Sequence, residues 1–263
     1  MSDADWIVAR YLEREKRFTV HVELPDGSRT AAHTNNTGRL TGCVAPGARC
    51  WLSPAENPRR KLGWTLEVTE APDCSGSVIE PSADLVPFDA PAPAPGRVLV
   101  GVNTAAPMAL VEAAVGRGLW PELDGCVVER REVRYPADIA PSSRADLLLR
   151  DRDGAPVWVE IKNVTMVEGG VARFPDAPTA RGRKHLADLA ACVRAGQRAV
   201  LVFCVQRGDA RRVTAASDID PAYATLLQQV ASAGVVCLGL LARVAPTGSE
   251  IAATLPVLTD AGE

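Results

Sequence analysis

Residues 143–165 read S-R-A-D-L-L-L-R-D-R-D-G-A-P-V-W-V-E-I-K-N-V-T, two apolar runs on either side of a turn. The runs are Ala145–Leu149 and Val157–Val164, and the turn is built on Asp151, Arg152, Asp153 and Gly154. Glycine favours a reversal there because it accepts positive φ without a Cβ clash. If the loop is Arg152–Gly154, with Gly154 left-handed as a bulge, partner numbers across the hairpin sum to 306 and Asp146 lies opposite Glu160. Side chains alternate along a strand, so Trp158, Glu160 and Lys162 share one face. Val157, Val159 and Ile161 point the other way, into a core. A two-residue loop would slip the register by one and undo the pairing.

Two carboxylates and an ammonium thus converge on one patch. Such acids are costly together unless something positive sits between them, and an oxygen-seeking cation such as Mg2+ or Mn2+ suits that place. Mg2+ takes one or two carboxylates and keeps waters for substrate phosphates. It lowers the pKa of a bound water and neutralises charge building on a phosphodiester. Lys162 is then placed to hold the attacking water or the phosphate. The spacing D-x(13)-E-x-K is the pattern of the PD-(D/E)xK nucleases. Alone it is weak, because charged residues alternating with apolar ones are ordinary on a half-exposed strand. Arg144 supplies the competing account of Asp146: it shares a side with that residue, and an internal ion pair would remove the need for a cation.

The chain has 263 residues, 47% hydrophobic and 23% charged, which fits a soluble globular chain of one large or two small domains. With 29 basic and 32 acidic residues the net charge is −3, so any nucleic-acid surface must be local. No apolar run approaches the roughly 20 residues of a membrane helix, and M-S-D-A-D-W shows no secretory pattern. No membrane partner is expected, and the expected compartment is the cytoplasm. Seven scattered cysteines, without C-x-x-C, argue against a disulfide framework or a zinc knuckle.

Trp6–Glu13, Phe18–Leu24, Ser28–His33, Ala48–Leu52 and Trp64–Thr69 read as strands, with Pro25-Asp26-Gly27 as a hairpin turn. Five short strands without a helix predict a small all-β barrel of the OB type over residues 1–84. Its loops carry the candidates for a nucleic-acid contact: Asn36, Thr37 and Arg39 in one, Arg59, Arg60 and Lys61 in another. From Arg39 to Lys61 five basic residues face one acidic, a plausible stripe for tracking phosphates. His33 is as readily structural as functional, and Trp51 and Trp64 read as barrel core rather than base-stacking platforms. The Ala-Pro alternation at 85–96 reads as a spacer, and residues 97–263 as a second, nuclease-like domain.

That second half alternates strand and helix. Arg97–Val102 reads as its first strand, followed by a helix from about Pro107, capped by Asn103-Thr104, with Met108, Leu110, Val111, Ala114 and Val115 on its apolar face. Strand Val127–Tyr135, the hairpin, helix Thr179–Ala195, strand Ala199–Gln206, helix Pro221–Ala233 and strand Val235–Val244 follow. The pattern predicts a mixed α/β (α+β) domain with helices on both faces of a central sheet.

The residues resemble one family along nearly the whole chain. R-Y-L-E-R-E-K-R-F (10–18), H-T-N-N-T-G-R-L-T-G (33–42), W-L-S-P-A-E-N-P-R-R-K (51–61), V-G-V-N-T-A-A-P (100–107), V-E-I-K-N-V-T (159–165) and F-P-D-A-P-T-A-R-G-R-K-H-L-A-D-L (174–189) are similar to the sugar fermentation stimulation protein A family. The resemblance implies an OB-fold joined to a restriction-endonuclease-like PD-(D/E)xK domain, and a DNA-binding function tied to sugar (maltose) metabolism. It implies a metal on Asp146, Glu160 and the backbone carbonyl of Ile161, with Lys162 as the catalytic lysine. On the first helix the family pattern has Asn and Glu where this chain has Met108 and Ala113, so Glu112, turned about 100° away, is the remaining candidate ligand there. Arg181, Lys184 and His185, early in a helix beside the hairpin, are candidates for phosphate contact. The expected partner is nucleic acid, DNA foremost, bound either for metal-dependent phosphodiester hydrolysis or by a regulator that keeps the nuclease fold as a scaffold.

Overall fold

The computed structural model describes residues 6–55, 57, 59–76, 89, 92–140 and 143–259. Residues 77–88, 90 and 91, which include half of the expected spacer, and the first five residues lie outside these. The first strands are β1 (Ile7–Glu15), β2 (Thr19–Glu23), β3 (Arg29–His33), β4 (Arg49–Pro54) and β5 (Trp64–Pro72). They pair antiparallel in the order β3-β2-β1-β4-β5, and a parallel bridge between His33 and Thr65 closes β3 onto β5. The result is the expected closed barrel. Alternation fills it: Ala9, Tyr11, Val20, Val22, Ala32, Cys50, Leu52 and Leu66 all point inward and are buried.

The strand read as opening the second half, β6 (Arg97–Gly101), instead pairs antiparallel with β5 as a sixth strand of the first sheet. Val100 and Val102 join the barrel core, and Leu99 packs with Trp51 and Val68. A short apolar run is satisfied by burial in either sheet, so its sequence does not choose between them.

Next come α1 (Ala106–Gly116), β7 (Val127–Arg134), β8 (Arg144–Arg150) and β9 (Pro156–Val164), then β10 (Met166–Glu168), β11 (Val171–Phe174), α2 (Ala180–Arg194), β12 (Arg198–Val205) and β13 (Arg212–Ala215). The chain ends with α3 (Pro221–Ser232), β14 (Val236–Ala245), β15 (Gly248–Leu255) and β16 (Val257–Leu258). The central sheet runs β15-β14-β12-β9-β8-β7, with β12 parallel to both β9 and β14. On one face Leu110, Val111 and Ala114 of α1 pack on Leu147, Val157, Val159 and Val200. On the other, Leu186 and Leu189 of α2 and Leu227 of α3 cover Leu148, Trp158, Leu201 and Phe203. Helices therefore lie on both faces, as the pattern predicts. A small sheet, β10-β11-β13-β16, stands apart and has no counterpart in the sequence reading.

The hairpin has the register its turn dictates. Asp151 N donates to Ala155 O at 3.1 Å, Gly154 has φ 78°, and Leu147 pairs with Val159 as Leu149 does with Val157. The loop is thus Arg152–Gly154. Thr179 caps α2 by accepting from Gly182 N, a contact worth about 1 kcal/mol in comparable helices. For α1 the cap residue is Ala105 rather than Thr104; the Asn103 carboxamide oxygen accepts from Ala105 N at 2.8 Å and from Asn35 Nδ2 at 2.6 Å. No described helix is long and apolar enough to cross a membrane.

Barrel and sheet are pinned by Arg207, which is fully buried. Its guanidinium donates to both oxygens of Asp209 at 2.6 Å, to Thr165 O at 3.0 Å, to Pro72 O at 3.1 Å and to Gly42 O at 3.3 Å. The last two carbonyls belong to the barrel side, so this one side chain bonds to both halves at the cleft between them.

Candidate active site

Asp146 and Glu160 project from neighbouring strands, β8 and β9, onto the face covered by α2. Asp146 Oδ2 accepts from Ile161 N at 2.7 Å, which anchors the first acid on the strand that carries the second. Glu160 is almost wholly buried, its side chain only 3% exposed. Lys162 Nζ lies 2.7 Å from Glu160 Oε1, and His185 Nδ1, from the second turn of α2, meets the same oxygen. Glu160 Oε2 is buried with no hydrogen-bond partner among the described residues.

These contacts separate the two acids. Burial works to raise the Glu160 carboxyl, but the His185 hydrogen bond and the Lys162 charge outweigh it and hold it below its ordinary value. Asp146 is pushed up to about 6 by burial and by the Glu160 charge, against the Ile161 amide, Lys162 and His185. One acid is neutralised locally. The other still lacks a positive partner.

Arg144 does not supply it. The side chain is exposed and has no ion pair among the described residues, so the internal salt bridge is not formed. Glu112 stands apart as well: Arg131 Nε donates to its Oε1 at 2.6 Å, and it does not line the cavities that Asp146 lines. Ala113 is exposed, and Met108 reaches a cavity beside Asp146 without offering a hard donor. Among the described residues no three His, Cys, Asp or Glu side chains form a ready metal cage. What is present nevertheless fits a cation of the Mg2+ kind. An orphaned buried carboxylate oxygen and an under-neutralised neighbour suit an ion that takes one or two carboxylates and retains waters.

The pair opens into a groove of about 540 Å3 between the barrel and the sheet. Asn35–Gly38 form one wall, Arg173–Thr179 and the start of α2 the other, with Asp146, Glu160 and Lys162 between them. The expected barrel contacts divide. Thr37 is exposed in the groove. Asn36 is buried instead, its Nδ2 donating to Val102 O at 3.2 Å and its Oδ1 accepting from Gly38 N at 2.9 Å; it shapes the loop. Arg39 is exposed while its amide donates to Asp176 Oδ2 at 2.8 Å, so the loop is docked on the segment before α2. Arg59 and Lys61 are exposed, and Arg60 Nη1 donates to Thr65 Oγ1 at 3.0 Å.

Arg49 drops out of the basic stripe, being buried 3.0 Å from Glu70. Trp51 is buried, Trp64 half-buried against the barrel core, and His33 stacks on Phe18. Arg181 is exposed at the groove, and Lys184 pairs with Asp188 at 3.1 Å and meets the Ser143 hydroxyl. Sequence reasoning missed Arg134 and Glu132 of β7, which line a second cavity with Asp146. Carrying the hairpin register one strand further would have reached them.

Comparison with known proteins agrees with this architecture. The family model described as "Sugar fermentation stimulation protein RE domain" matches residues 105–248, and the "SfsA N-terminal OB domain" model matches residues 12–79. The sugar fermentation stimulation protein homolog of Azorhizobium caulinodans is 42% identical over 253 residues, 96% of this chain and 97% of that one. The homolog of Thioalkalivibrio sulfidiphilus is 44% identical over 247 residues, 94% and 92% of the two chains. The structure of Pyrococcus furiosus SfsA in complex with Ca2+ superposes with a TM-score of 0.79 at 25% identity, covering 98% of each chain. With both halves matched in order over nearly its full length, the chain belongs to the sugar fermentation stimulation protein family.

Proposed function

We propose that the chain binds nucleic acid, DNA foremost, and hydrolyses its phosphodiester bonds with a divalent cation held by Asp146, Glu160 and the backbone carbonyl of Ile161. One observation carries this reading: two unequal carboxylates, one with a buried unpartnered oxygen, lie in a groove that reaches from the barrel loop to the start of α2. The Ca2+ in the Pyrococcus furiosus relative supports divalent-metal use. When bound, Mg2+ or Mn2+ would supply an acidified water and charge neutralisation at the phosphate. Lys162, fixed by Glu160, keeps an ammonium beside the reacting phosphate, and His185 holds Glu160 in its ionised form. The groove walls orient the strand.

The test is cleavage of labelled single- and double-stranded DNA and RNA with Mg2+ or Mn2+, comparing the wild type with Asp146→Ala and Lys162→Ala. Both variants are expected to lose cleavage. Unchanged activity in both would reject the assignment.

A second reading is favoured by a different observation: Glu160 Oε1 is already taken by Lys162 and His185, and α1 brings no carboxylate to the pair. In that reading the protein is a non-catalytic DNA-binding regulator, tied to sugar metabolism, that uses the nuclease fold as a scaffold. It predicts salt-sensitive DNA binding without metal-dependent turnover.

A further inference from the structure

The edge strand β7 places two cations where sheet physics would not put them. In the β7–β8 pair Arg134 lies directly opposite Arg144, and like charges directly opposite are destabilising. Both side chains are exposed, and neither has a hydrogen-bond or ion-pair partner among the described residues. Arg181, in the first turn of α2, is also exposed and unpartnered among them. All three line a cavity of about 400 Å3, together with Glu132, Lys184 and Asp146.

The pairs Arg131–Leu147 and Val133–Ala145 set Glu132 opposite Asp146, so the two acids sit on the side toward the carboxylate pair and the arginines beyond it. The cavity shares Asp146, Arg181 and His185 with the groove that runs to the barrel. In a chain of net charge −3, three guanidiniums left without partners around one cavity call for an anion. Their planar donor forks match phosphate oxygens.

We propose that this cavity is a subsite for a backbone phosphate flanking the one at the carboxylates, held by Arg134, Arg144 and Arg181. The bound strand therefore continues past Asp146 on both sides, from the barrel loop through the groove and into the cavity. The ligand class is a polynucleotide strand with phosphates on either side of the reacting bond, not a mononucleotide or a free phosphomonoester. The inference rests on the nucleic-acid reading given above and deepens it.

The experiment is fluorescence anisotropy with a short labelled single-stranded oligodeoxynucleotide in the presence of Ca2+, titrated between about 50 and 200 mM salt. Each phosphate contact on a single strand contributes a slope of about −0.7 in log affinity against log salt. Arg134→Ala/Arg144→Ala is expected to bind about 5-fold more weakly near 0.1 M salt, with a slope shallower by about 0.7, the loss of one phosphate contact. Arg144→Lys, which keeps the charge, is expected to retain the wild-type slope, and thermal melting confirms that each variant folds.

Repeating the titrations with chelator in place of Ca2+ is expected to preserve the difference in slope between the wild type and the double variant, which separates the metal from the subsite. A double variant with wild-type affinity and slope overturns the subsite and leaves the broader reading standing. A wild-type protein with no salt-dependent affinity for the oligonucleotide overturns both.

Discussion

Lys162 Nζ and Glu160 Oε1 are 2.7 Å apart, two positions along one strand on the same face, so the amine suited to the chemistry also neutralises one of the acids. Lys162→Met removes both roles at once. Cleavage is expected to fall 100-fold or more if the amine stabilises the reacting phosphate. Stability is expected to drop by about 1–3 kcal/mol, because buried Glu160 is left with His185 alone. Metal-dependent cleavage and urea unfolding measure the two separately, and a variant with full activity would remove Lys162 from the chemistry.

Arg207 is predicted to be the strongest single determinant of the cleft. Arg207→Met leaves Asp209 buried and three carbonyls without their donor, and the expected loss is about 3–5 kcal/mol in chemical denaturation. Replacing Asp209 with Asn in the same chain should recover part of it, since the uncompensated charge is then gone while an acceptor remains for Cys74 N. If both variants unfold at the wild-type denaturant concentration, the clamp is not what holds the halves together.

The hairpin was legible because its information is local: Gly154 sets the loop, the loop sets the register, and the register brings Asp146 to Glu160. The flanking helices were legible for the same reason, from 3.6-residue periodicity and from Thr179 and Pro221 at their starts. What could not be read depends on partners far along the chain. Arg97–Gly101 is apolar enough for either sheet, and only its pairing with β5 decides. Asn36 looked like a free polar loop residue until Val102, 66 positions away, came to accept its hydrogen bond. Arg49 counted in the basic stripe between Arg39 and Lys61, and it is buried against a carboxylate of its own barrel, Glu70.

Asp220 gives the fold an acid-sensitive joint. Burial works to raise its carboxyl, but the amides of Thr179 and Tyr223 and the Arg183 guanidinium outweigh it, and it stays below its ordinary value. The carboxylate thereby caps α3 and ties it to the start of α2. With the folded-state pKa depressed, the unfolded chain takes up this proton first. The stabilisation is fully present above the unfolded value of about 3.9 and is lost as pH falls through the lower folded value. Asp220→Asn should therefore flatten the decline in stability below about pH 4, and lower stability at neutral pH by about 1 kcal/mol. Urea titrations from neutral to acid pH test it; a variant with the wild-type acid slope would mean that another carboxylate is responsible.

Asp146 is the place where function and stability are expected to oppose each other. It is half-buried beside the Glu160 charge, which makes its ionised form unfavourable in the ion-free fold. Asp146→Asn keeps an oxygen for Ile161 N and removes the repulsion. The ion-free variant should be more stable than the ion-free wild type at neutral pH, by about 1–2 kcal/mol once partial exposure is allowed for. A cation bound at the pair reverses the order. Ca2+ at 100 times its dissociation constant stabilises a protein that binds it only when folded by about 2.7 kcal/mol, and the variant should gain almost none of this. Thermal melts of both proteins with chelator and with Ca2+ decide the matter. If Ca2+ raises both melting temperatures equally, the ion binds elsewhere; if the chelated variant melts below the chelated wild type, Asp146 is a structural acid and the pair has no need of a metal.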